Sequence, residues 1–142
     1  MSGVGRGLLG SLGESGAQTN PASPDPGLQG RTWAVPFDDV WEAAVGLASG
    51  GLRGCTLRRA NDRDGIIIAE ARARFVGVSD FTISVVLDAD AQTRVDARSI
   101  SREGKADLGT NARRIRTFFR MLEDRLAEKL GEPPVALTPR SG

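Results

Sequence analysis

Gly65–Phe75 reads GIIIAEARARF, and from Ile67 onward every second residue is apolar. Ile67, Ala69, Ala71, Ala73 and Phe75 fall on one face, while Glu70, Arg72 and Arg74 fall on the other. A period of two marks a β-strand with one buried and one wet face, because successive side chains leave the pleat on opposite sides. The preceding Asn61–Gly65 (NDRDG) has the turn chemistry of a hairpin, and before it Cys55, Leu57 and Arg59 alternate with polar neighbours in another strand. Downstream, FTISVVL (Phe81–Leu87) directs Phe81, Ile83, Val85 and Leu87 inward. Beyond the turn DADAQ, TRVDARS (Thr93–Ser99) directs Val95 and Ala97 inward and Arg94, Asp96 and Arg98 outward. Together these segments predict an antiparallel sheet with one apolar and one charged face.

Two helices are predicted to cover the apolar face. RTWAV (Arg31–Val35) reads as an edge strand stopped by Pro36. Phe37, Val40, Trp41, Ala44, Val45 and Ala48 then recur at helical spacing, with Asp38 and Asp39 at the positive end of the dipole and Gly50 and Gly51 at the stop. From about Leu108 the apolar positions Ala112, Ile115, Phe118, Phe119, Leu122, Leu126 and Leu130 are spaced by three and four, with Asp107 as the expected N-cap. The order is β-α-β-β-β-β-α, a two-layer α+β domain of TBP-like or helix-grip-like arrangement. Residues 1–30, rich in Gly, Ser, Pro, Asn and Gln, read as a disordered leader; 31–130 read as the single domain and 131–142 as a flexible tail.

Composition narrows the chemistry. The chain of 142 residues carries a formal charge of +1, one cysteine, no histidine and no tyrosine. The missing histidine removes the commonest general base and transition-metal ligand, so neither a Ser-His-Asp site nor a metal site is expected, and no cofactor. A lone Cys55 forms no internal disulfide and fits a reducing, cytoplasmic setting. No run reaches the length needed to span a bilayer, and the glycine-broken start is a poor signal peptide. The aromatics Trp33, Trp41, Phe118 and Phe119 sit at core positions rather than on a stacking platform, which argues against nucleic acid.

RTWAVPFDDVWEAA (Arg31–Ala44), GIIIAEA and above all RVDARSISREGKADLGTNARRIRTFF (Arg94–Phe119) resemble the bacterial domain of unknown function (DUF) family 1499. The similarity runs from about Arg31 to Leu126, and the pattern RSxSRxGxxDxGxNxRRI at Arg98–Ile115 is long enough to be specific. Where the family pattern often has two adjacent acids before the fourth strand, this chain has VSDF and keeps Asp80. The resemblance implies a fold and assigns no activity.

The candidate residues all lie in that run: Arg98, Ser99, Ser101, Arg102, Lys105, Asp107, Asn111 and Arg114. In one reading they buckle the last strand to the last helix, with Arg102, Arg114 and Asn111 donating to Asp107 and to turn carbonyls through forked, bidentate bonds. In a second, the hydroxyls of Ser99 and Ser101, the cations Arg102, Lys105 and Arg114, and free N–H groups at the helix start cradle a small anion or the acidic side chain of a protein partner. In a third, the chain is a hydrolase-type enzyme using carboxylate chemistry or a pairing of Ser99 or Ser101 with Lys105, which requires a desolvated lysine. The first two make the chain a non-catalytic binding or interaction module.

Overall fold

The computed structural model describes residues 16–103, 109–135 and 137. It contains strands β1 (Gly16–Gln18), β2 (Arg31–Trp33), β3 (Cys55–Asn61), β4 (Ile66–Ala73), β5 (Gly77–Leu87) and β6 (Thr93–Ser101), and helices α1 (Phe37–Gly46) and α2 (Thr110–Leu130). The strands form one antiparallel sheet in the order β1-β6-β5-β4-β3, with β2 paired to the other end of β6. This is the α+β architecture that the alternation and helical spacing predict, with one strand more.

The register follows from the apolar pattern. Ile67 faces Ile83, which faces Ala97, and Val85 faces Val95; all five are buried. Ala69 and Ser99 flank Phe81, which rises between them. Phe81 meets Phe118 of α2 edge-on, with ring centroids 5.4 Å apart, and Phe118 meets Phe119 at 5.2 Å. Ile115, Phe118, Phe119, Leu122 and Leu126 are the buried stripe of α2, as their spacing requires. In α1 Val40, Ala43 and Ala44 are buried, and the helix runs into a wider turn, Leu47–Gly51, in which Gly50 leaves the helical conformation with φ 121°. At the β3–β4 hairpin only glycine serves at position 65: φ is +70°, and a Cβ there would lie 2.1 Å from the Val85 carbonyl oxygen.

Four expectations need correction. Ordered structure begins before Arg31: β1 pairs with Arg98–Ile100 of β6, and Ala17 is buried. A three-residue strand has too few side chains to show a period, so nothing in the leader's composition announces it. Phe75 and Leu87 are not inward but 95% and 54% exposed. Both lie at strand ends: β4 has already stopped at Ala73, and Leu87 is the last residue of β5. Leu130 closes the apolar stripe in sequence, yet at the last residue of α2 it is 38% exposed. Helix α2 starts at Thr110 after Gly109, whose φ is +80°, rather than at Asp107, which lies outside the described residues. On the far side of β2, the Leu137 amide donates to the Thr32 carbonyl at 2.7 Å.

Candidate functional site

Strand parity divides the candidate residues into two groups. Along β6 the odd-numbered Val95, Ala97, Ser99 and Ser101 point inward, and the even-numbered Arg94, Asp96, Arg98, Ile100 and Arg102 point outward. The sheet therefore separates Ser99 and Ser101 from Arg98 and Arg102 by its own thickness.

The inner group is a buried hydrogen-bonded cluster. Asn111 and Arg114, three residues apart on the first turns of α2, share the helix face that meets the end of β6. Ser99 Oγ donates to Asn111 Oδ1 at 2.6 Å, and Asn111 Nδ2 donates to Ser101 Oγ at 3.0 Å. Arg114 Nη1 donates to Ser99 Oγ at 2.9 Å and to Asn111 Oδ1 at 2.7 Å. All four residues are buried. Asn111 suits the centre because one amide supplies an acceptor to Ser99 and Arg114 and a donor to Ser101. The Ser79 hydroxyl, opposite Ser101 in register, is buried without a hydrogen-bond partner among the described residues.

One inward row runs Cys55, Ala71, Ser79, Ser101 across four strands. Burial pushes the Cys55 thiol up, and the nearby charge of Arg114 only partly opposes the rise. A thiol held protonated and buried is not a nucleophile. Ser99 is equally sealed, its oxygen engaged by Asn111 and Arg114, so the serines present no hydroxyl to a substrate in this arrangement. Lys105 and Asp107 lie outside the described residues.

The outer group joins Arg102 to residues that the run itself does not contain. Arg102 Nη2 lies 2.7 Å from Asp80 Oδ1 and 3.2 Å from Glu70 Oε2, and Arg58 Nη2 lies 2.9 Å from Glu70 Oε1. Glu70 and Asp80 are directly opposite on β4 and β5, an unfavourable like-charge pair unless a cation bridges it. Arg102 is that bridge. The hydrogen bonds from Arg58 and then Arg102 hold the Glu70 carboxyl down at about 2, far below its usual range. Glu70 is thus a carboxylate at neutral pH and not a proton donor.

The sign follows from the lowered pKa: the ladder supports the fold above the ordinary carboxylate range and loses its contribution as pH falls toward about 2. A carboxyl-detected NMR titration is expected to place Glu70 near 2 at low salt. Arg58→Ala should raise that midpoint more than Arg102→Ala, and added salt should raise it in the unmodified protein because the pair is exposed. An ordinary glutamate midpoint at low salt would show that the ladder does not form in solution.

Arg98 stands apart from both groups. It is exposed, and among the described residues its guanidinium has no ion-pair or hydrogen-bond partner. It borders a shallow hollow of about 210 Å³ on the outer face, shared with Gln18, Thr19, Thr82, Ser84 and Asp96. The Asp96 carboxylate there is already occupied, accepting from Thr19 Oγ1 at 2.8 Å and from Arg94 Nε at 2.8 Å. Arg98 was legible in the sequence, whereas Gln18, Thr82 and Ser84 come to it only through pairing with β1 and β5. Among the described residues no group of three or more His, Cys, Asp or Glu is placed to hold a metal ion, and no helix is long and apolar enough to cross a membrane.

Compared with curated proteins and with solved structures, the chain shows no match in either. Its residues 17–122 match the family model described as "Protein of unknown function (DUF1499)". That span takes in β1, β6, both helical residues of the inner cluster and the whole outer ladder, so the chain belongs to the DUF1499 family.

Proposed function

We propose that this chain is a non-catalytic binding module that takes up an anionic oxygen group, a phosphate or the carboxylate of an acidic partner, on the open outer face of its sheet at Arg98. The observation that carries this reading is the contrast among arginines of one run. Arg114 is built into the buried cluster, Arg94, Arg102 and Arg116 are engaged with acids, and among the described residues Arg98 on β6 and the exposed Arg113 on α2 are left over, of which Arg98 is the one on the sheet. Thr82 and Ser84 add hydroxyl donors beside it in the same hollow, and a charged fork flanked by neutral donors suits a planar or tetrahedral oxyanion. The inner cluster serves this reading as the buckle that holds β6, and hence the Arg98 backbone, against α2.

The test is thermal unfolding with inorganic phosphate, citrate and a glutamate-rich peptide, against chloride at equal ionic strength. At a hundredfold excess over Kd the expected rise in Tm is about 5 to 10 °C. Arg98→Ala should abolish it without lowering the unliganded Tm. No shift with any of the three, or a shift that survives Arg98→Ala, overturns the proposal.

A further inference from the structure

The β4–β5 hairpin ends in an aromatic residue for which the fold has no use. Of the five phenylalanines in the chain, Phe81, Phe118 and Phe119 are buried, Phe37 stacks on Trp41, and Phe75 is 95% exposed. Its backbone has φ 72°, a left-handed conformation that side chains bearing a Cβ seldom adopt and that marks functional sites when it persists. The turn is closed by the Val76 amide donating to the Ala73 carbonyl at 3.3 Å, which leaves Arg74 and Phe75 at its apex. The alternation of β4 would have sent the ring inward, and the turn sends it out to solvent.

The surroundings of the ring are cationic. Arg72 and Arg74 precede it in sequence and both are exposed. The Arg72 amide donates to the Gly54 carbonyl at 3.0 Å, which brings the exposed Arg53 to the same end of the sheet. None of these three arginines has a salt-bridge or hydrogen-bond partner for its side chain among the described residues. The acid Glu103, whose Oε1 would lie 3.6 Å from a Cβ at Gly77, has an interaction of its own, and Glu70 and Asp80 are taken by Arg58 and Arg102.

We infer that this hairpin tip docks on an anionic phospholipid surface, with the Phe75 ring entering the headgroup–acyl boundary and Arg53, Arg72 and Arg74 meeting lipid phosphates around it. A convex tip with one ring at its apex and long arginine stems beside it matches the layering of a bilayer interface, apolar beneath and anionic above. A pocket on another protein would have to be both apolar at its floor and acidic at its rim, and it is the alternative that the test separates. This contact is distinct from the hollow at Arg98, so either proposal can fail without the other.

The experiment is co-sedimentation of the full chain with vesicles of phosphatidylcholine containing about 30% phosphatidylserine, alongside pure phosphatidylcholine, at low salt. Binding to the anionic vesicles is expected, with at least about tenfold weaker binding to the neutral ones. Phe75→Ser should weaken binding about tenfold and Phe75→Trp should retain it. The pair Arg72→Glu with Arg74→Glu should abolish it, while Arg98→Ala should leave it unchanged. Because Phe75 is 95% exposed, its replacements should unfold no earlier than the unmodified chain. No sedimentation with anionic vesicles, or equal binding of Phe75→Ser and the unmodified chain, overturns the proposal and points the ring to a protein pocket.

Discussion

Arg114→Ala is expected to lower the unfolding free energy by about 3 kcal/mol, read as the loss in a urea titration without ligand. Among the described residues the guanidinium of Arg114 donates to Ser99 Oγ and Asn111 Oδ1, in a place where all three residues are buried. Hydrogen bonds from a charged donor contribute about 1.5 to 3 kcal/mol each, and truncation leaves buried oxygens short of a donor. Arg114→Lys should recover only part of the loss, since a single ammonium replaces the planar fork. Arg102→Ala is the control, for it removes an arginine of the same run from a solvent-exposed ladder and should move the urea midpoint very little. If Arg102→Ala proved the more damaging of the two, the outer ladder rather than the inner cluster would be the buckle.

The largest loss is expected from Phe118→Ala, about 4 kcal/mol. Phe118 is fully buried and contacts two other rings, Phe81 below it on the sheet and Phe119 beside it on the helix. Its floor is rigid, because Phe81 is held in register on both sides by Ala69 and Ser99. A cavity between a paired strand and a long helix collapses poorly, which places the cost toward the upper part of the range for aromatic truncation. Phe118→Leu should recover more than half. A loss below about 2 kcal/mol would show that α2 can settle onto the sheet and close the gap.

The fold was written in the sequence wherever a period ran for several residues. The strands from Ile66 to Ser101 and the helix stripe Ile115 to Leu126 needed only alternation and three-four spacing. Where a segment was too short to show a period, as at Gly16–Gln18, or where the period outlived its strand, as at Phe75, the pattern misled. The candidate site shows the same divide. The parity that sends Arg94, Asp96 and Arg98 outward, carried on to Arg102, already opposes Arg102 to Ser99 and Ser101. What the sequence alone withheld was register: Glu70, Asp80 and Arg58 are 32, 22 and 44 positions from Arg102, and only strand pairing brings them to it.

Strand β6 has one further consequence, in the timing of synthesis rather than in stability. Among the described residues it is the last strand made, yet β1 and β2, the first two, both pair with it and not with each other; Thr19 and Asp96, which bond directly, are 77 residues apart. On the ribosome the segment carrying Trp33 therefore emerges with no partner strand and must wait, apolar and uncovered, until β6 follows it out. The meander β3–β4–β5–β6 closes through short turns and can assemble first, as low sequence separation favours. Strands β1 and β2 are thus completed after the meander that follows them, and the nascent protein depends on protection for Trp33 until β6 arrives.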